Sequence, residues 1–174
     1  MRPTRLFLIM LLAVAGVFVA VPGSAAGCVT DWGSARQVVP AMGTGEVDAV
    51  RVGRDVCWDR VVIDIDGPAG GYRAEYVEQV TADGSGAVVP VPGGARIQFV
   101  VNHPAQSLGV AVGQPVAAVA GFATVRSAVF AGSFEGMTTF GVGTRARLPF
   151  RVFTLAGPGG HSRIVLDVAH RWTV

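Results

Sequence analysis

The segment "RVVIDID", residues 60–66, alternates apolar and polar residues with a period of two. In an extended strand, Val61, Ile63 and Ile65 lie on one face, and Asp64 and Asp66 lie on the other. Three more segments share this alternation: "YRAEYVE" (72–78), "RIQFVVN" (96–102) and "RIVLDVAH" (163–170). Alternation over short β-branched and aromatic runs predicts strands that each bury one face. The pattern therefore favours an all-β protein.

Clusters of glycine and proline separate these runs: "DGPAGG" (66–71), "ADGSG" (82–86), "PVPGG" (90–94) and "GPGGH" (157–161). The second cluster lies between two strand-like runs and predicts a hairpin turn. Further strands are predicted at 124–133, 137–143 and 149–155, whereas the glycine-rich segment 106–122 is predicted to be a long loop. Eight or nine short strands with such turns indicate a single-domain antiparallel β-sandwich.

The first 26 residues have the composition of an export signal. Arg2 and Arg5 precede an apolar run over residues 6–21, and a proline–glycine pair and small residues follow it. The run is shorter than the roughly 20 residues that a membrane-spanning helix needs. We therefore expect a signal peptide over 1–26, one domain over 27–174 and no membrane span in the mature chain.

The charge of the mature chain gives no reason to expect a nucleic-acid partner. Two of the fourteen arginines, Arg2 and Arg5, belong to the signal, which leaves twelve against twelve acidic residues. All of the basic residues are arginine. A nearly neutral domain lacks the excess of positive charge with which proteins bind nucleic acid or membrane surfaces.

The chain has two cysteines, Cys28 and Cys57. An even pair in an exported protein favours a disulfide, which would make the domain a soluble secreted one. The alternative is a lipoprotein anchored through Cys28, because Gly27 supplies the small residue that precedes a lipidated cysteine. Ala25 stands where leucine is usual in that motif, which favours the disulfide.

No catalytic or metal-binding pattern is present in the sequence. His103, His161 and His170 are scattered and lack the spacing that places two imidazoles on one metal ion. Cys28 and Cys57 lack the spacing of zinc and redox sites. We therefore predict no catalytic residue, no metal and no cofactor.

Asp64 and Asp66 are the carboxylate pair that would suit an enzyme. Two residues apart on one strand, they face the same side at about 6–7 Å, a separation found in glycosidases. The favoured interpretation is a solvated face of the sheet.

Three side chains are candidates for ligand binding: Glu135, in the turn "FEG", and Arg145 and Arg147, in "GTRARLPFR" (143–151). With Arg151, the two arginines form a basic cluster that would suit anionic wall polymer, because guanidinium groups bind carboxylates and phosphates bidentately. A charged edge strand is the alternative interpretation of this cluster. Trp32 and Trp58 flank the cysteines and are expected to pack around a disulfide.

Several motifs together resemble the AMIN-like domain of secreted bacterial proteins of the actinobacterial type, which is related to the AMIN domains of cell-wall amidases. They are Cys28 with "WGS" (32–34), "VRVGRDVCWDRVVIDIDG" (50–67), "GYRAEYV" (71–77), "DGSG" (83–86), "VFAGSFEGMTTFGVG" (129–143), "PFRVFTL" (149–155) and "SRIVLDVAH" (162–170). The resemblance implies a small β-sandwich that binds peptidoglycan or other envelope glycans and carries no catalytic residue. It also implies ion pairs at Asp59, Arg60, Arg163 and Asp167, and it supports pairing Cys28 with Cys57.

We therefore expect a secreted or wall-associated, non-enzymatic module that binds cell-wall glycan. A protein-interaction or structural domain of the envelope, with an envelope protein as its partner, is the first alternative. A small wall hydrolase that uses Asp64, Asp66 or Glu135 is the second.

Overall fold

The computed structural model describes residues 27–173, so the predicted signal peptide at 1–26 lies outside the described residues. The strands are β1 (Gln37–Val39), β2 (Glu46–Arg54), β3 (Trp58–Asp66), β4 (Tyr72–Val77), β5 (Val80–Thr81), β6 (Val88–Val89), β7 (Ala95–Val101), β8 (Val125–Phe134), β9 (Met137–Thr144), β10 (Phe150–Ala156) and β11 (Ser162–Ala169). A single 3-10 turn, Pro158–Gly160, joins β10 to β11. Within 27–173, no helix has the length and apolar character needed to cross a membrane.

The strands form two antiparallel sheets that share one hydrophobic core. One sheet has five strands in the order β1-β4-β7-β9-β8, and the other has four in the order β10-β11-β3-β2. Buried side chains from both sheets belong to the same core cluster. The predicted hairpin around residues 82–86 is present as β5 and β6, which pair with each other. The prediction of an all-β, single-domain antiparallel sandwich is confirmed.

Period-two alternation builds the core as the sequence predicts. Ile63 and Ile65 of β3 are fully buried, and they share the core with Phe99 of β7 and Phe140 of β9. Each such side chain contributes about 1.5–3 kcal/mol when it leaves water.

Strand β11 departs from simple alternation because both of its faces are buried. Ile164 and Leu166 point into the core, but Val165 and Asp167, on the opposite face, are no more than 1% exposed. Side chains from neighbouring strands must therefore cover the outer surface of this sheet.

Two tyrosine hydroxyl groups connect the sheets along one open side of the sandwich. Tyr72 of β4 donates a hydrogen bond to the carbonyl oxygen of Val152 in β10 at 3.0 Å. The Tyr76 hydroxyl donates to the carbonyl oxygen of Leu148 and accepts from its backbone N–H, both at 2.9 Å. Burial raises the pKa of both tyrosines above the usual phenol value.

A buried carboxylate connects the sheets near the hairpin between β2 and β3. Asp59 of β3 is fully buried, and its Oδ2 accepts hydrogen bonds from the backbone N–H groups of Thr124 (2.6 Å) and Val125 (2.8 Å). Its Oδ1 lies 3.0 Å from Nε2 of His170. The start of β8 is thereby fixed to β3.

Two sheet edges are covered by other parts of the chain. The side-chain amide of Gln37 pairs with the β10 backbone, since its Nε2 donates to the Phe150 carbonyl and its Oε1 accepts from the Val152 N–H, both at 2.9 Å. Segment 113–116 runs along β8: Phe130 accepts from the Gly113 N–H and donates to the Gln114 carbonyl, and the Ala128 carbonyl accepts from the Val116 N–H. This segment belongs to the predicted loop 106–122, which is irregular as expected.

The predicted disulfide is confirmed. Cys28 and Cys57 are joined with their Cα atoms 5.3 Å apart, and 29 positions separate them in sequence. The bond ties the segment before β1 to the hairpin between β2 and β3. Closing a loop of this length stabilises a fold by roughly 3–4 kcal/mol on the chain-entropy model.

The two tyrosines predict a specific loss of stability at alkaline pH. The tyrosine side chain of an unfolded chain ionises at about pH 10, whereas burial raises the pKa of Tyr72 and Tyr76 and keeps them neutral to higher pH. The folded chain therefore keeps protons that the unfolded chain loses, so the contribution of the two tyrosines to the free energy of unfolding is constant below about pH 10 and falls above it. Urea unfolding between about pH 8 and about pH 11 measures this fall.

The control is the double variant Tyr72→Phe/Tyr76→Phe. The chain has no other tyrosine, all of its basic residues are arginine, and both cysteines are oxidised. We therefore expect the double variant to keep a constant free energy of unfolding over this range. A fall as steep as that of the wild type would contradict the assignment.

Candidate functional site

The outer surface of the four-stranded sheet carries a regular array of arginine and aromatic side chains. These residues occupy the strand positions that alternate with the core positions, so they point away from the core. We call this surface the arginine–aromatic face. It consists of Trp32 together with Arg51 of β2, Trp58, Arg60, Val62 and Asp64 of β3, Arg151, Phe153 and Leu155 of β10, and Arg163, Val165, Asp167 and Ala169 of β11.

Asp167 lies near the middle of this face and is fully buried by two guanidinium groups. Cross-strand register places Arg151 on one side of it and Arg60 on the other. Arg60 donates from Nε to Oδ1 at 2.6 Å and from Nη2 to Oδ2 at 2.8 Å, and Arg151 donates from Nε to Oδ2 at 3.0 Å. The hydrogen bond to Asp167 raises the pKa of Arg60. The resemblance implies ion pairs at Arg60 and Asp167 without assigning their partners, and in the structure these two residues pair with each other.

Three aromatic rings hold the Arg151 guanidinium in place. Its central carbon lies 4.2 Å from the ring centroid of Trp32, 5.3 Å from that of Trp58 and 4.9 Å from that of Phe153. Arg60 also lies over the Phe153 ring, at 5.5 Å. Cation–π contacts of this kind are worth about 0.5–2 kcal/mol each.

The two tryptophans contact each other as well as Arg151. Their ring centroids are 5.5 Å apart at an interplanar angle of 54°, and both side chains are half-buried. Trp58 follows the disulfide cysteine Cys57 directly in sequence. The rings therefore extend from the disulfide region onto the arginine–aromatic face.

A second ion pair, between Arg51 and Asp64, lies at the far end of the face. Asp64 and Asp66 are the two carboxylates considered from the sequence as a catalytic pair. Both oxygens of Asp64 accept hydrogen bonds from Arg51, at 2.5 and 2.6 Å, and the bond raises the pKa of Arg51. Asp66 is exposed and lies 3.4 Å from Nδ1 of His161. Asp64 lines the open groove beside Arg163 and His161, but Asp66 does not. The two carboxylates thus have different partners.

The predicted arginine cluster is divided by the fold. Arg145 donates to the carbonyl oxygen of His170, and Arg147 donates to the hydroxyl and carbonyl oxygens of Ser34 at 3.1 and 3.0 Å. Both therefore connect loop segments, while Arg151 joins the arginine–aromatic face. Ligand binding by Arg145 and Arg147 stays a prediction.

Glu135 lies on the other sheet, in the tight turn between β8 and β9. Its backbone has a φ of +48°, and its exposed side chain borders an open groove that also contains Asp83, Val112 and Phe134. Its role in ligand binding stays a prediction as well.

His103 and His170 form hydrogen bonds that connect segments of the fold. His103 is fully buried, with Nδ1 2.8 Å from the Gly45 carbonyl oxygen and Nε2 accepting from the Gly70 N–H at 2.6 Å. His170 contacts Asp59 and the carbonyl oxygen of Val56. In the part of the chain that the structure describes, no group of three or more histidine, cysteine or acidic side chains is arranged to hold a metal ion.

The fold and this surface define a small antiparallel β-sandwich domain with an ordered arginine–aromatic face. A sequence model of the AMIN-like domain family matches residues 45–170, and the chain belongs to this family. AMIN-like domains are non-catalytic modules, and the family suggests association with the cell wall. A comparison with curated protein sequences finds no match. The family match covers β2 to β11, so Cys28, Trp32 and Gln37 lie outside it.

The two ion pairs of the face predict very different responses to the same substitution. Asp167→Asn leaves two half-buried guanidinium groups without a counter-ion and should lower the free energy of unfolding by about 3–5 kcal/mol. Asp64→Asn removes a pair whose Arg51 side chain is 59% exposed, so the loss should stay below about 1 kcal/mol. Urea unfolding of both variants measures the difference. Equal losses would show that burial of Asp167 is not what makes its pair strong.

Proposed function

We propose that this protein is a non-enzymatic module of the cell envelope that binds peptidoglycan or another wall glycan on its arginine–aromatic face. The observation that carries the proposal is the group of three half-buried rings, Trp32, Trp58 and Phe153, around Arg151. Aromatic rings offer flat apolar surfaces on which the C–H faces of sugar rings pack. Neighbouring guanidinium groups add donors for hydroxyl and carboxylate oxygens.

Rigidity supports this assignment of the binding surface. The rings and arginines belong mainly to three neighbouring strands, and the Asp167 ion pairs fix the guanidinium groups before any ligand arrives. A preorganised surface loses little conformational entropy on binding, which favours affinity for a repetitive polymer.

The hydrolase alternative has less support. A glycosidase needs one carboxyl group that donates a proton and a second that acts on the opposite side of the substrate. Both oxygens of Asp64 accept hydrogen bonds from Arg51, and Glu135 lies on the other sheet. The carboxylates therefore do not converge on one cleft.

The interaction-domain alternative would use either an edge or a face of the sandwich. Strand addition at β8 or at the start of β10 would have to displace segment 113–116 or the Gln37 amide. A protein partner on the arginine–aromatic face would compete with glycan.

Wall binding should depend on the rings of the arginine–aromatic face. Trp32→Ala and Phe153→Ala each remove one stacking surface worth about 1 kcal/mol, so each should weaken co-sedimentation with purified cell wall about fivefold. Phe134→Ala is the matched control, because this ring is 47% exposed but lies on the other sheet. Wall binding that is absent in the wild type, or that falls as much in the control, would overturn the proposal.

The export route should be visible in the mass of the mature protein. We propose cleavage after residue 26, with the mature domain secreted or wall-associated. The Sγ atom of Cys28 is bonded to Cys57, and a sulfur in a disulfide cannot also form the thioether of a lipid anchor. Intact mass spectrometry of the exported protein should therefore give a chain that starts at Gly27 and lacks two hydrogens. A diacylglyceryl mass on a chain that starts at Cys28 would establish the lipoprotein instead.

A further inference from the structure

The arginine–aromatic face has an unbalanced charge at its centre. Two guanidinium groups, Arg60 and Arg151, share the single carboxylate of Asp167. Asp55 also acts on Arg60, but it is exposed and its effect is the smallest of those that raise the pKa of this arginine. One cation of the pair is therefore without a counter-ion of its own at close range.

The two arginines also keep unused hydrogen-bond donors. Arg60 reaches Asp167 through Nε and Nη2, and Arg151 reaches it through the same two atoms. Within residues 27–173, Nη1 of each guanidinium has no hydrogen-bond partner. The side chains are 33% and 38% exposed, so solvent and ligands have access to them.

The surroundings strengthen attraction to an anion at this point. The rings of Trp32, Trp58 and Phe153 pack against the Arg151 guanidinium and replace part of its contact with water. A charge beside apolar rings interacts more strongly with a counter-ion than the same charge in bulk water does. Arg163 adds further positive charge on the same face, whereas the charge of Arg51 is balanced by Asp64.

We infer that Arg60 and Arg151 form a subsite for the free carboxylate groups of the wall polymer; this inference rests on the proposed function. A carboxylate is planar and carries one negative charge, which matches the surplus of one positive charge and the flat donor edges of the two guanidinium groups. Asp167 shows that this arginine pair already accommodates such a group. The ligand carboxylate binds on the solvent side, opposite Asp167.

A phosphodiester offers similar oxygen atoms, so the experiment must separate the two anions. Purified wall is prepared in two forms: one treated with hydrofluoric acid, which removes phosphodiester-linked polymer, and one whose carboxylates are converted to amides with a carbodiimide and an amine. We expect wild-type protein to bind the acid-treated wall as well as untreated wall, and to bind the amidated wall at least fivefold more weakly. The reverse order would overturn the carboxylate assignment in favour of phosphate.

Arg151→Gln tests the subsite without exposing an unpaired charge. Arg60 still binds both oxygens of Asp167 in this variant, so the buried ion pair survives while the surplus cation is removed. We expect weaker binding to untreated wall and no further loss on amidation. Arg36→Gln is the control, because it makes the same change in charge at a 55% exposed side chain beside Glu75. Arg36→Gln should bind wall as the wild type does. Equal losses of wall binding in both variants would show that net charge, and not the subsite, causes the effect.

A measurement on the wild type alone removes any dependence on the folding of variants. N-acetylglycine, which has a free carboxylate, and N-acetylglycinamide, which has none, are titrated against ¹⁵N-labelled protein. We expect saturable shifts of the Trp32 and Trp58 indole signals with the acid and none with the amide. Equal responses to both compounds, or no response, would overturn the subsite. Unchanged binding to amidated wall would also overturn the carboxylate subsite, but it would still agree with the proposed binding of wall glycan.

Discussion

The burial of the Asp167 carboxylate is the interaction on which the outer surface of the four-stranded sheet depends. A charge in the middle of a sheet is tolerated only when it is paired and hydrogen-bonded. Arg60 and Arg151 meet this requirement from the two neighbouring strands, and their positions follow from register alone. The aromatic rings then pack on the arginines, so one acidic residue organises the charged and apolar parts of the surface together.

The layout of the strands follows from local pattern. The alternation in residues 60–66 and in three similar segments reports which face of each strand points into the shared core, and the glycine–proline clusters mark the turns. The order of the strands does not follow, because it depends on contacts between segments that are far apart in the chain. The short β1, which joins the five-stranded sheet beside β4, has too few residues for its alternation to be recognised.

The residues of the candidate site are even harder to predict from the sequence, because they too come together from distant parts of the chain. Arg145, Arg147 and Arg151 are close in sequence, yet the first two bind loop carbonyl groups and only the third reaches the face. In the structure, the arginine beside Arg151 is Arg60, because both bind Asp167. Arg60 and Asp167 are 107 positions apart in the sequence. The resemblance to AMIN-like domains drew attention to Arg60 and Asp167, because it compares whole motifs. The resemblance includes Trp32 through the motif "WGS", although the family model matches only residues 45–170. It gave no sign that the Trp32 ring packs against Arg151.

The disulfide also decides how mechanical load would travel through this domain. A pull on the chain at Gly27 passes through Cys28 to Cys57 and enters the fold at the start of β3, so β1 and β2 are bypassed. Strand β3 is an interior strand, bonded to β2 on one side and to β11 on the other along most of its length. Force applied there is shared among many hydrogen bonds, and β3 and β11 are the strands that carry Arg60 and Asp167.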